Sequence, residues 1–260
     1  MEISELLNVD NITMKFGGLT AVDKFKLKVI PGELVGLIGP NGAGKTTVFN
    51  MITGIYTPTI NKIYFQDKNI TGIKPDKITK IGIARTFQNI RLLENLTVID
   101  NVMIGFHLHL QSNLISAILR LPNYAREEEG IYHKSIELLE KVELEKYKSE
   151  KAGSLPYGQQ RKLEIVRALA TGPKLLLLDE PAAGMNPHET KDLMKFIQRI
   201  QESFNLTIVL IEHDMKVVMG ICRRILVMDY GLTIAEGNPV EIQNSPEVIK
   251  AYLGVDVNYA

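Results

Sequence analysis

Gly39-Pro40-Asn41-Gly42-Ala43-Gly44-Lys45-Thr46 is the stretch on which the fold of this chain turns. It satisfies the spacing G-x-x-x-x-G-K-[ST], and its surroundings are the ones that spacing requires. The continuous apolar run Leu34 to Ile38 precedes it, and a helical stretch from about Lys45 to Thr53 follows, with Gly54 placed to stop the helix. Glycines let the backbone close around phosphates without side-chain clashes. Successive N–H groups then point inward, and the helix N-terminus adds its partial positive charge. Lys45 is set to neutralise terminal phosphates, the Thr46 hydroxyl to reach a magnesium ion, and the Thr47 hydroxyl to reach an inner phosphate.

A second apolar run, Leu175 to Leu178, ends in Asp179-Glu180. In an open α/β sheet, ligands sit outside the carboxyl ends of the strands, so these two acids share an edge with the phosphate loop. Asp179 is placed to hold magnesium through a water, and Glu180, one residue further, to polarise an attacking water. A third buried run, Thr207 to Ile211, leads into Glu212-His213-Asp214. A lone histidine ordinarily has a structural role, and His107, His109, His133 and His188 are read that way.

Working outward, Ile12 to Phe16 and Phe25 to Ile30 read as short strands, the second with Phe25, Leu27 and Val29 alternating against lysines. Ile63-Tyr64-Phe65 suggests another strand. From about Asn89 to Leu163 strand signals vanish and helical spacing takes over, as in Ser135 to Val142, where Ile136, Leu139 and Val142 fall near one face. Strands return after Gly172-Pro173. Asn186-Pro187-His188-Glu189 combines an Asn cap, a first-position proline and a capping-box glutamate. Ile225 to Met228 and Leu232 to Ala235 flank Asp229-Tyr230-Gly231 as a hairpin. Strands alternating with helices predict a largely parallel sheet covered on both faces. The expected architecture is an α/β P-loop NTPase (RecA-like) core with an antiparallel β subdomain, residues 1–88 and 164–260, and an inserted α-helical subdomain, residues 89–163.

Bulk properties narrow the function classes. The 260 residues carry 30 basic and 30 acidic side chains, a balance that gives no support for a broad nucleic-acid footprint. The single cysteine, Cys222, cannot form an internal disulfide, which fits a reducing compartment, and reads as a buried small hydrophobe. The N-terminal MEISELLNVD lacks the basic-then-apolar order of a signal segment. No apolar run approaches the roughly 20 residues of a spanning helix, so a link to a membrane is expected to run through a partner protein.

The motifs together, in this order, resemble an ABC transporter ATPase subunit over the whole chain. After the phosphate loop comes Arg85-Thr86-Phe87-Gln88, similar to the Q-loop; then Leu155-Pro156-Tyr157-Gly158-Gln159, similar to the signature; then Asp179-Glu180-Pro181, a D-loop-like Ala182 to Asn186, and His213 at the switch-histidine position. The resemblance implies ATP and Mg²⁺ as ligands, with Glu180, His213 and Gln88 catalytic, and Thr46, Gln88 and Asp179 on the metal side. It implies that Phe16 stacks on adenine with Val22 beside it. It further implies a head-to-tail dimer with a second ABC ATPase subunit, in which Tyr157, Gly158 and Gln159 of one subunit close the site of the other.

Pro156 departs from the usual Leu-Ser-Gly-Gly-Gln signature, where it replaces the serine and brings neither a hydroxyl nor an N–H. That departure, with Met14-Lys15-Phe16-Gly17-Gly18, Pro181-Ala182-Ala183-Gly184, Glu212 to Lys216 and the C-terminal Ala251-Tyr252-Leu253-Gly254, is similar to LivG-type subunits of branched-chain amino-acid importers. The implied partners are transmembrane permease subunits and, indirectly, an extracytoplasmic substrate-binding protein. The implied location is peripheral, on the cytoplasmic face of the membrane. Motors for another cargo, such as urea or lipopolysaccharide, and soluble cassette ATPases are the alternatives. The latter usually carry paired cassettes, coiled-coil arms or zinc cysteines, and no such arm or cysteine set appears in this sequence.

Overall fold

The computed structural model describes residues 5–110 and 122–253. Gly254, which ends the C-terminal motif, lies outside them. The chain divides into two compact units, residues 1–88 with 174–260, and residues 89–173.

In the first unit, the run Leu34–Ile38 is strand β3 and is buried at every position, as a continuous apolar run demands of a strand covered on both faces. Its six-stranded sheet runs, in spatial order, Leu232–Gly237 (β10), Arg224–Asp229 (β9), β3, Thr207–Ile211 (β8), Leu175–Asp179 (β7) and Ile83–Arg85 (β6). The strands from β9 to β6 are parallel, and β10 pairs antiparallel with β9. The β9–β10 turn is Tyr230–Gly231, with φ of 42° and 82°, the positive pair that a two-residue hairpin loop favours.

A four-stranded antiparallel sheet, ordered Leu19–Val29 (β2), Leu7–Phe16 (β1), Ile60–Phe65 (β4) and Lys68–Asn69 (β5), forms the second layer. β1 and β2 run longer than the sequence suggests because bulges interrupt their alternation. The register shifts between Val9 and Ile12, Ile12 and Met14, and Met14 and Lys15, with Asn11 at φ 47°.

Helix α1 (Lys45–Ile52) packs in the core shared by the two sheets, with Val48, Phe49, Met51 and Ile52 clustered against Phe25, Leu37, Phe65, Leu177 and Leu226. Phe25 and Phe49 are completely buried, each contributing about 1.5–3 kcal/mol of transfer free energy. This burial fixes α1, and with it the loop at its N-terminus. Helix α6 (Pro187–Phe204) begins with the expected Asn186 capping box and buries Leu193, Phe196, Ile197 and Ile200. Cys222 is buried and its thiol pKa is pushed up by desolvation.

The second unit holds helices α3 (Val98–Phe106), α4 (Pro122–Lys141) and α5 (Tyr157–Leu169). Thr97 and Asp100 form a capping box at the start of α3. The buried Asn101 ties α3 to the preceding loop by accepting from Leu93 N at 2.9 Å and donating to Leu93 O at 3.1 Å. The sequence boundary at 163/164 falls inside α5, and the structure corrects it to 173/174. The helix is unbroken, and the whole of it lies in the second compact unit.

Candidate functional site

Four adjacent parallel strands deliver the site residues from their carboxyl ends. β3 leads into Gly39, β8 into Glu212-His213, β7 ends at Asp179 and leads into Glu180, and β6 ends at Arg85, three residues before Gln88. A cavity of about 910 Å³ opens there, lined by Leu19, Thr20, Ala21, every residue from Gly39 to Thr47, and Gln88, Glu180, His213, Tyr230 and Tyr252.

The loop wraps tightly because it cannot do otherwise. At Gly39, φ is 148° and a Cβ would stand 2.0 Å from the Met228 carbonyl oxygen. The Lys45 ammonium folds back into the loop, donating to Gly39 O at 2.7 Å and Pro40 O at 2.9 Å. Burial lowers the Lys45 pKa, opposed by the charges of Glu180 and Asp179. An anionic ligand in this loop relieves that desolvation, so the lysine is poised for phosphate.

Glu180 is the hub of the polar groups. It adopts φ 45°, in the left-handed region, and its N–H donates to Ile211 O at 2.9 Å. Its Oε2 accepts from Gln88 Nε2 at 2.9 Å and stands 3.3 Å from His213 Nδ1. Left-handed backbone at a non-glycine residue costs energy and persists where surrounding structure enforces it. Here the β8 end does so, and the carboxylate is turned toward the phosphate loop. Beneath it Glu212 is fully buried, accepting from Ala182 N at 2.7 Å and His213 N at 3.2 Å. Burial raises the Glu212 pKa, and those amides, with that of Asp214, oppose the shift.

Asp179 is 5% exposed and pairs with Arg85, Nη2 to Oδ2, at 2.6 Å. Thr46, Gln88 and Asp179 offer only oxygen donors to a metal, the set a hard cation such as Mg²⁺ takes. Among the described residues no group of three or more His, Cys, Asp or Glu is arranged to hold a metal ion. Magnesium suits such sparse protein ligation, because it usually keeps waters and substrate phosphates as ligands.

Two expected residues, Val22 and Phe16, are not among those that line this cavity. Val22 is completely buried, and a Cβ at Gly44 would stand 3.1 Å from its Cγ2, so it packs against the loop. Phe16 is outside the residues lining the cavity, with its ring edge-on to Tyr56 at 5.3 Å. Leu19, Thr20 and Ala21 line the cavity from the same hairpin instead. Tyr230 and Tyr252 were not anticipated. Tyr230 is held at the hairpin turn, where the Gly231 N–H donates to Ala43 O at 3.0 Å. Burial raises the Tyr252 hydroxyl pKa, opposed by a hydrogen bond to the Gly39 backbone. The Asp229-Tyr230-Gly231 hairpin was expected, but no chemical signal marked either tyrosine as part of the cavity.

In the other unit, α5 begins at Tyr157, with Pro156 at its cap and no side-chain hydrogen bond there. Gly158 and Gln159 lie in its first turn. The Tyr157 hydroxyl lies 3.4 Å from Arg161 Nη2, and the buried Arg161 donates to Glu164 at 2.8 Å. Burial pushes the Glu164 pKa up, with Arg161 the main opposing charge.

Residues 22–183 match the ABC transporter family, and residues 233–258 match the family described as branched-chain amino acid ATP-binding cassette transporter. The chain is similar to the high-affinity branched-chain amino acid transport ATP-binding protein LivG of Escherichia coli strain K12, 46% identical over 249 residues, which is 96% of this chain and 98% of the relative. Among solved structures, it is similar to the ADP conformation of an ATP-binding cassette of an ABC transporter, with TM-score 0.84, 33% identity, and coverage of 96% of this chain and 99% of that one. It is also similar to a dimeric ATP-binding cassette in a post-hydrolysis state bound to ADP and Pi, with TM-score 0.72, 26% identity, and coverage of 90% and 98%.

Proposed function

The chain belongs to the ABC transporter ATP-binding family, and we propose that it drives import of branched-chain amino acids by hydrolysing ATP at the site built around Glu180. It is an ATPase subunit of a membrane transporter. Such subunits pair with permeases and form dimers, and the proposed dimer is head to tail, with the α5 start of each cassette meeting the ATP of the other. Among the described residues no helix is long and apolar enough to cross a membrane. In this proposal the permease subunits build the path through the bilayer, the cassette sits on its inner face, and an extracytoplasmic binding protein delivers the cargo.

The observation that carries the proposal is the convergence of Gln88 and His213 on one carboxylate oxygen of Glu180, beside the phosphate loop. Loop amides and Lys45 hold the phosphates. Thr46 and Asp179 would hold magnesium, with Gln88 beside them. Magnesium, when bound, would neutralise the negative charge that develops on the phosphate oxygens. Glu180 accepts the proton of the attacking water, Gln88 helps orient that water, and His213 faces the terminal phosphate. Gln88 also ends the first unit's N-terminal segment, immediately before the chain enters the helical unit.

The cargo assignment rests on the match at residues 233–258 and on the relatives' activity. It is tested by reconstituting the cassette with its permease subunits and binding protein in vesicles and measuring ATPase rate against added amino acid. Stimulation by leucine, isoleucine or valine is expected. Stimulation by urea alone, or by none of these, refutes the cargo.

A further inference from the structure

Arg85 stands at the end of a three-residue strand and touches three parts of the site. Nη2 donates to Asp179 Oδ2 at 2.6 Å, and Nη1 donates to Asn50 Oδ1, on the phosphate-loop helix, at 2.6 Å. The guanidinium carbon lies 5.5 Å from the centre of the Phe49 ring and 5.2 Å from that of Phe87, the neighbour of Gln88. The Arg85 and Asp179 side chains are 6% and 7% exposed. The strand is held in place by its parallel pairing, in which Arg85 lies opposite Leu177, and by the Thr86 N–H donating to Leu177 O at 3.0 Å.

We propose that Arg85 is a positioning residue for the metal: its fork fixes the Asp179 carboxylate so that the second oxygen, Oδ1, accepts from a magnesium-bound water. The proposal deepens the function given above and rests on Asp179 being the acid on the magnesium side. The terminal torsion of an aspartate is broad, so the rotamer alone does not set the carboxylate plane. A partner must, and a planar guanidinium stacked on two aromatic faces is a rigid one. Replacing a buried ion pair with apolar residues is often neutral or stabilising, so stability alone is a weak reason for this pair. Its partners offer a better one. Through Asn50 the same guanidinium is referenced to the helix that carries Lys45 and Thr46, so Asp179 and Thr46 keep their spacing as one unit.

The test measures Mn²⁺ binding by electron paramagnetic resonance, with a non-hydrolysable ATP analogue bound, beside nucleotide binding in EDTA. Arg85→Met should weaken Mn²⁺ binding about tenfold, at the low end for loss of a partner that orients a metal ligand, while metal-free nucleotide binding stays unchanged. Arg85→Lys keeps the charge but cannot span Asn50 and Asp179, and should give an intermediate shift. Asn50→Ala, which frees one tine of the fork, should give a smaller shift of the same sign. Unmoved or tighter Mn²⁺ binding in Arg85→Met overturns the proposal, as does an equal loss of metal-free nucleotide binding. If Arg85→Met does not fold, unmoved Mn²⁺ binding in both other variants overturns it. Asp179→Asn separates the two claims. If it leaves Mn²⁺ binding unmoved, the metal assignment of Asp179 fails; if it weakens binding while the Arg85 variants do not, the positioning role alone fails.

Discussion

Glu180→Gln changes one charge and almost no shape, which makes it the sharpest test of the site. The side chain is 16% exposed and its Oε2 serves both Gln88 Nε2, at 2.9 Å, and His213 Nδ1, at 3.3 Å. A glutamine keeps one oxygen and can turn it toward Gln88, so one of these contacts survives. The left-handed backbone at φ 45° is untouched, so stability should stay within about 0.5 kcal/mol. What disappears is the proton acceptor. A positioned general base is worth about 10²- to 10⁴-fold in rate, or about 2.7–5.5 kcal/mol of barrier. Binding should respond differently. Glu180 is the foremost charge supporting the Lys45 ammonium against burial, but bound phosphates take over that role. Removing a carboxylate beside the loop also removes its repulsion of the terminal phosphate. ATP affinity should therefore hold or rise, and the nucleotide-bound dimer should accumulate. The assay is single-turnover phosphate release beside equilibrium nucleotide binding and sedimentation on the same preparation. A rate loss of less than about tenfold would refute the role of Glu180 as the base.

Three further outcomes are expected. Lys45→Ala removes the ammonium that donates to Gly39 O and Pro40 O, and nucleotide affinity measured by calorimetry should fall about ten- to hundredfold, from about 1.5–3 kcal/mol for charge-assisted bonds. Gly105→Ala places a Cβ 2.5 Å from Arg167 O and 2.7 Å from Ala170 Cβ, so α3 and α5 must part. Urea unfolding should report about 1–3 kcal/mol of destabilisation, and an unchanged midpoint would contradict the close packing. Glu212 has its pKa raised by burial from 4.5. Between 4.5 and that raised value the folded state holds a proton that the unfolded state has released, so its contribution to stability falls as pH rises through this window. Glu212→Gln should remove that decline, seen as a flatter urea midpoint from pH 4.5 upward, and an identical slope in both proteins would refute it.

The phosphate loop, β7 with its two acids, and β8 leading to His213 were legible because each is a continuous apolar run ending in chemistry, a pattern that survives without tertiary knowledge. β6 was not legible: three residues are too few for a period, and it exists only because β7 and the turn at Gly82 hold it. With it went Arg85, whose partner lies ninety-four positions away. The adenine-side hairpin was harder to read for another reason. Alternation assigns faces only while the register holds, and three shifts in β1 bury Ile12, Thr13 and Met14 in succession, leaving Phe16 exposed and off the cavity wall. Tyr252 arrives from a C-terminal helix whose docking depends on its contacts with β10, which no local pattern announces.

Pro156 raises the question of how a signature without its serine contacts phosphate. The proline has φ −53°, close to the value its ring imposes, and supplies no hydroxyl to the first turn of α5. A serine at this cap would divide its hydroxyl between the turn's own amides and a ligand. Proline removes that competition, and its ring fixes the angle at which the chain enters the helix. The Pro156 carbonyl still accepts from Gln159 N at 2.9 Å and Gln160 N at 3.0 Å, so the turn is formed without help from a side chain. In the head-to-tail pairing proposed above, recognition of the terminal phosphate then passes from a side-chain hydroxyl to the backbone amides and dipole of a pre-set helix start. In that pairing, the loss of one hydroxyl contact would be offset by a turn that needs no ordering when the partner's ATP arrives, because the Pro156 carbonyl already closes it.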